Sequence, residues 1–238
     1  MPPPEPPSLQ VIAMHGWAGD AAGWIGWPEA FHAEGWSWRS AERGYGGATP
    51  RLPQWEPRGR RVLIAHSLGP HLMPPELLAR AEAVVLLASF ARFVPQGPAE
   101  RRLRTALDGM AAALADTDAD PRPMLKSFLA EAAAPQPAEG MPPGPAEGPA
   151  EAIERALLRR DLELLRRTTS LPRGFPSAVP VLLVEAAADR IVVPEARELL
   201  RQALPQADVI RLEGTGHALL GSPVIDLSRD WLKDRFGP

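Results

Sequence analysis

Three residues, taken in chain order, have the types and settings for acyl-transfer chemistry: Ser67, Asp189 and His217. Ser67 closes the run Val62-Leu63-Ile64-Ala65-His66-Ser67-Leu68-Gly69, an apolar, β-branched stretch ending in small-x-Ser-x-Gly. A serine in that setting is lifted on a sharp strand-to-helix turn, with its hydroxyl exposed and the next amide free. The usual pattern has glycine at both flanks; here Ala65 takes the first. A serine hydroxyl is a poor nucleophile until a base takes its proton. His217, in the glycine-rich stretch Gly214-Thr215-Gly216-His217, is the candidate base. Asp189 would hold the imidazole and stabilise its cation. Asp208 competes for that role, but it opens a predicted strand, whereas Asp189 follows a strand's carboxyl end, where open α/β sheets place their sites. Taken singly, the three would be a turn serine, a helix cap before Pro194 and a loop histidine. The order Ser…Asp…His, each after a predicted strand, favours catalysis.

A tetrahedral intermediate needs hydrogen-bond donors aimed at its oxyanion. The N–H of Leu68, just after the nucleophile, and the N–H of Trp17, in His15-Gly16-Trp17-Ala18-Gly19-Asp20, are the candidates. Gly16 would permit the tight turn. The Trp17 indole would pack on an acyl chain or in the core. His15 and His66 are expected to orient loops, with His66 pointing away from Ser67 if strand alternation persists. His32 and His71 fit no catalytic slot. No metal-ligand spacing, phosphate loop or dinucleotide fingerprint is present, so no cofactor is expected.

These groups must be carried by a scaffold, and the chain alternates strand and helix patterns. Leu9 to Met14, Trp36 to Arg39, Arg61 to Ala65, Ala83 to Ala88, Val181 to Glu185 and Asp208 to Leu212 read as strands. Several are apolar throughout, as suits parallel strands covered on both faces. Helices are expected over Trp24 to His32, from Leu68, over Glu76 to Arg80 after a break at Pro74-Pro75, over Pro194 to Leu204 and over Ile225 to Phe236. The alternation predicts an α/β fold with a doubly wound, mostly parallel sheet. Between about 91 and 171 lies a helical insertion, with helices over Arg101 to Leu114, Pro123 to Ala133 and Glu151 to Arg167. Pro135 to Pro149, rich in Pro, Gly, Ala and Glu, is expected to be a mobile loop. Residues 1–8 are expected to form a disordered proline-rich arm, and 9–238 a single domain.

Composition narrows the function classes. With 45% hydrophobic residues over 238, a packed core is feasible. The formal net charge of −3 argues against nucleic acid as a partner. With no cysteine, disulfides, thiolate catalysis and zinc-thiolate sites are excluded. No apolar run approaches a bilayer span and no signal-peptide pattern opens the chain, so a soluble cytoplasmic monomer is expected.

His15-Gly16-Trp17, Arg43-Gly44-Tyr45-Gly46, Ala65-His66-Ser67-Leu68-Gly69, Ala188-Asp189-Arg190-Ile191-Val192-Val193-Pro194 and Gly214-Thr215-Gly216-His217, in this order, resemble the α/β-hydrolase family. The His-Gly-Trp opening, the compact size and the run Asp161-Leu162-Glu163-Leu164-Leu165-Arg166-Arg167-Thr168-Thr169 are similar to the pimeloyl-acyl-carrier-protein methyl ester esterases of biotin synthesis. The resemblance implies an α/β-hydrolase fold with a lid, a serine carboxylesterase cleaving that methyl ester, and acyl contacts at Trp17 and Phe90. It also implies an acidic acyl carrier protein as partner. Arg155, Arg159 and Arg160 are candidate docking residues for it, against the alternative that they are solvated helix faces. A general carboxylesterase or thioesterase for small acyl substrates is the alternative function, and a non-catalytic ligand-binding protein of this fold is a further one.

Overall fold

Six strands make one sheet: β1 (Leu9–Met14), β2 (Ser37–Ser40), β3 (Arg60–His66), β4 (Ala83–Leu87), β5 (Val181–Ala186) and β6 (Asp208–Leu212). Their order is β2-β1-β3-β4-β5-β6, and every neighbouring pair is parallel. This computed structural model describes residues 9–237; the expected arm over 1–8 and Pro238 lie outside the described residues. The chain winds outward from β1 to β2 and then back past β1 to β3. The loops after β1 and β3 therefore lie side by side at the carboxyl edge, the switch point where ligands of open α/β sheets bind.

Strand side chains alternate between two buried faces. Val62 and Ile64 of β3 join a core with Trp27 and Phe31 of α1 (Trp27–His32) and Leu232 of α8 (Val224–Phe236). Leu63 and Ala65 face the other way, toward Leu77 and Leu78 of α3 (Pro75–Leu78) and Leu200 of α7 (Pro194–Ala203). Burial on both faces is why these strands read as continuous apolar runs. Between the two loops, α2 (Gly69–Leu72) follows Ser67 and stops at Met73, whose extended backbone is what a residue before proline prefers.

Helix α1 starts three residues later than the sequence predicts. Gly26 takes φ +80°, which breaks the helix, and Asp20 caps a separate 3₁₀ turn over Ala21–Gly23. The insertion between β4 and β5 contains α4 (Glu100–Ala115), α5 (Arg122–Ala133) and α6 (Arg155–Arg167). Helix α6 is also shorter at its start. Residues Ala150–Ala152 form a 3₁₀ turn, and the Glu154 N–H bonds to the Tyr45 carbonyl instead of entering the helix. Its apolar stripe, Leu158, Leu162 and Leu165, is buried as its spacing implies. Pro135 to Pro149 has little regular structure, yet it is seated on the domain rather than hanging free. Ala146 is buried, and the Gln136 side chain bonds to both the Gly214 carbonyl and the Gly216 N–H. Among the described residues no helix is long and apolar enough to cross a membrane.

Candidate active site

Ser67 sits at the carboxyl end of β3 with φ +53°, the left-handed conformation of an elbow turn. Its N–H bonds to the Leu87 carbonyl at 2.9 Å and its carbonyl accepts from Ser89 Oγ at 2.7 Å, so both sides of the strained residue are tied. Gly69 is obligatory there: a Cβ would come within 2.5 Å of the Met14 carbonyl. Ala65 needs no such freedom. Its methyl is buried in the core beneath the sheet, and the elbow forms without the first glycine of the usual pattern.

His217 comes to Ser67 from the loop after β6, with Nε2 3.0 Å from Ser67 Oγ. Its Nδ1 lies 2.9 Å from Asp189 Oδ2. The other carboxylate oxygen, Oδ1, accepts from the N–H groups of Ile191 and Val192, both at 2.8 Å. Burial pushes the Asp189 carboxyl up, but the His217 ring and these two amides outweigh it and hold the group below the usual carboxylate range. An ionised Asp189 keeps the His217 proton on Nδ1 and leaves Nε2 to accept from the serine hydroxyl. Asp208 is far from this: it begins β6 and bonds to Trp231 and Arg235.

The N–H groups of Trp17 and Leu68 have no acceptor among the described residues. The Trp17 loop lies tight against Ser67, since a Cβ on Gly16 would be 2.9 Å from Ser67 Cβ. His15 fixes this loop. Its Nε2 accepts from the Arg43 N–H at 3.1 Å, which leaves Nδ1 to donate to the Gly16 carbonyl at 2.9 Å. That carbonyl belongs to the same peptide as the Trp17 N–H. Glu42 supports the arrangement from behind. Burial pushes its carboxyl up, but the adjacent His15 ring and the N–H groups of Ala21 and Gly44 bring it down to about 2.

Two expectations fail here. His66 does not turn away from the site: its ring lies 4.9 Å from that of His217 and borders the same cavity as Ser67. Its Nε2–H donates to the His217 carbonyl at 3.0 Å, so it does orient a loop as expected. Burial, aided by the His217 ring, pushes its pKa down to about 4. Phe90 borders neither of the cavities beside Ser67. It is buried beneath the ring of His71, stacked at 5.2 Å, and Phe93 borders the cavity in its place. Both phenylalanines follow β4, and nothing in their local sequence separates them.

Ser67 borders two apolar cavities. One, of about 160 Å³, lies on the His217 side among Trp24, Trp27, Leu219 and Val224. The other, of about 400 Å³, runs under the insertion past Phe93, Leu103, Leu107 and Met124 and reaches Arg102 and Arg190. Trp17 and Phe128, edge to face with ring centroids 5.0 Å apart, border both. The Trp17 indole N–H also bonds to the Leu158 carbonyl of α6 at 2.9 Å, so its side chain is structural as well as exposed to the cavity.

The arginines of α6 divide. Arg155 is not free to dock: its guanidinium bonds to the Asp116 carbonyl at 2.6 Å and to that of Ala119, holding the α4–α5 turn. Arg159 and Arg160 are exposed. The sequence does not single out Asp161, which is 2% exposed and bonds to Arg43 and Tyr45. A signal was present, because Asp161 interrupts the apolar stripe between Leu158 and Leu165.

The architecture is the α/β-hydrolase fold, and solved structures match it over nearly the whole chain. A thermophilic esterase from Thermogutta terrifontis is similar with a TM-score of 0.65 and 17% identity, over 97% of this chain and 92% of that one. 2-Hydroxy-6-oxo-6-phenylhexa-2,4-dienoate hydrolase from Rhodococcus sp. strain RHA1 gives 0.65 and 18%, over 97% and 91%. A hydrolase from Oleispira antarctica gives 0.66 and 11%, over 95% and 92%. In sequence, 59 residues are 34% identical to Lipase 3 of Moraxella sp. (strain TA144), a match covering 25% of this chain and 19% of that protein. No protein-family model matches the chain.

Proposed function

We propose that the chain is a serine carboxylesterase, and that its substrate is the methyl ester of a pimeloyl chain carried on acyl carrier protein, as in biotin synthesis in the cytoplasm. The observation that carries the esterase reading is the hydrogen-bonded line from Ser67 Oγ through His217 to Asp189, beside two unpaired amides. Ser67 attacks the ester carbonyl as His217 Nε2 takes its proton. The oxyanion receives the N–H groups of Trp17 and Leu68. His217 returns the proton to the leaving alkoxide, and methanol departs. Water, activated by the same imidazole, then releases the acid from the acyl-enzyme.

The finer substrate reading rests on the sequence resemblance and on two features of the insertion. The cavity beneath it is apolar, as a pimeloyl chain requires, and is bordered by Arg102 and Arg190. Arg159 and Arg160 lie exposed on α6 and would steer an acidic carrier, raising its association rate more than its affinity. A second reading, a general carboxylesterase for small acyl substrates, is favoured by the apolar cavity beside His217, which exceeds what methanol needs.

The test compares hydrolysis of pimeloyl-acyl-carrier-protein methyl ester with that of a short p-nitrophenyl ester, for the wild type and Ser67→Ala. Cleavage of both, lost in the variant, supports the full proposal. Cleavage of the small ester alone selects the second reading. Arg159→Glu should slow only the carrier-bound ester, with Arg160 left in place because it also contacts Asp161 at 3.5 Å; equal loss on both substrates would remove the docking role.

A further inference from the structure

The second buried polar cluster of the molecule joins the insertion to the loops beneath it. Asp161 of α6 receives Arg43 Nε at 2.6 Å, Arg43 Nη2 at 2.7 Å and the Tyr45 hydroxyl at 2.8 Å. We propose that Asp161 is a positioning residue for the oxyanion hole, acting from α6 on the Gly16–Trp17 peptide; the inference rests on the serine esterase reading.

Two routes lead from the carboxylate to that peptide. The first passes through Arg43. A bidentate guanidinium–carboxylate pair is geometrically strict, so it fixes the Arg43 residue as well as its side chain. The Arg43 main-chain N–H is the donor to His15 Nε2, and His15 Nδ1–H holds the Gly16 carbonyl. Tyr45, held by the same carboxylate, packs its ring edge-on against His15 at 5.9 Å. The second route passes through α6 itself. The helix that Asp161 anchors presents the Leu158 carbonyl to the Trp17 indole. One carboxylate thus controls the carbonyl side of the peptide and the side chain of the residue that supplies its N–H. The apolar contacts of α6 would keep the helix in place without Asp161, but they impose no comparable direction on Trp17 or His15.

An oxyanion donor acts on the transition state, so its misplacement lowers kcat rather than raising KM. The experiment measures kcat and KM on a p-nitrophenyl ester, and inhibition by an alkyl trifluoromethyl ketone, whose adduct with the serine places an anionic oxygen in the hole. Asp161→Asn is expected to lower kcat by roughly 10- to 100-fold. KM should stay within about twofold, and the ketone should weaken with kcat. Trp17→Phe, which removes the bond to Leu158, should shift the same quantities in the same direction. Asp108→Asn, which breaks the α4–α6 pair with Arg166, should lower the melting temperature and leave kcat and ketone affinity unchanged. An Asp161→Asn protein that is less stable yet has wild-type kcat and ketone affinity overturns the proposal, as does a loss confined to KM. If Asp161→Asn does not fold, Trp17→Phe decides, and unchanged ketone affinity there overturns it. Hydrolysis that survives Ser67→Ala would instead overturn the esterase reading, and this inference with it.

Discussion

Asp189 and Asp161 are both buried carboxylates that close a three-residue polar cluster, yet they are held by different means. Asp189 is supported by its own loop. Two main-chain N–H groups, from Ile191 and Val192, fix one oxygen, and only the other reaches across to His217. Asp161 has no such main-chain support, and its one neighbouring contact, from the exposed Arg160, is long at 3.5 Å. Its close partners are the side chains of Arg43 and Tyr45, 118 and 116 residues away in the chain. A carboxylate gripped by neighbouring amides keeps its place when its distant partner is removed. One gripped mainly by distant side chains loses its surroundings along with its contacts. The Ser67 cluster should therefore fail chemically before it fails structurally, and the Asp161 cluster should also show its loss in stability.

The sharpest way to break that contrast is at the ends of the two clusters. Ser67→Ala should lower kcat/KM by roughly 10⁴- to 10⁶-fold, with the urea midpoint unchanged; a large fall in stability would show that the elbow serine also holds the fold. Asp161→Ala should cost about 3–5 kcal/mol, because it leaves the half-buried Arg43 guanidinium without its partner. Urea unfolding measures this, and a cost near zero would make the two clusters alike. A smaller effect is expected at the seam between them. Gly16→Ala puts a methyl 2.9 Å from Ser67 Cβ and 3.2 Å from His66 Nδ1, both of which must yield. Steady-state kinetics should show kcat down by about 100-fold in a folded protein.

A further effect separates the regions by pH. His66 stays neutral in the folded chain down to about pH 4, while its ordinary value is 6.5. Between those values the unfolded chain binds the extra proton, so stability falls as pH drops from 6.5 to 4. Glu42, on the Arg43 side, behaves as a depressed carboxylate. Its stabilisation is complete above 4.5 and is lost as pH falls toward 2. Acid unfolding curves of His66→Gln should flatten the first slope, leaving the part that His71, also pushed down by burial, supplies, and should keep the second. An unchanged first slope would assign it to another group.

The same contrast explains what could be read from the chain. Ser67, Asp189 and His217 each follow a strand. A parallel sheet brings strand ends together whatever their separation in sequence, so order and element type were enough to group them. The Asp161 cluster depends on where an insertion lands, which no local pattern records. On a helix carrying Arg155, Arg159, Arg160, Arg166 and Arg167, an aspartate looks like one more surface charge, and only its place within the leucine stripe argues otherwise. His66 keeps to the face of Val62 and Ile64, as alternation requires, and it is Ser67 that leaves the strand pattern, turned toward the same side by its φ of +53°. Phe90 and Phe93 both follow β4, and nothing in their local sequence marks which of the two borders the cavity. The Pro135 to Pro149 segment was correctly seen as irregular, but composition does not reveal that Gln136 bridges two groups of the His217 loop.

That bridge lies beside a closer contact. A Cβ on Gly216 would stand 1.9 Å from the Ala134 carbonyl, and the Ala218 N–H bonds to the Ala132 carbonyl at 2.9 Å. The end of α5 and the loop carrying His217 are thus one seam, with no room between the backbones. The insertion is consequently not a detachable module. Transplanting a different one at its two junctions would strip the loop of its neighbour and displace His217. The exchangeable stretch ends before Ala132, and any recombination that respects function must keep Ala132 to Gln136 with the parent sheet.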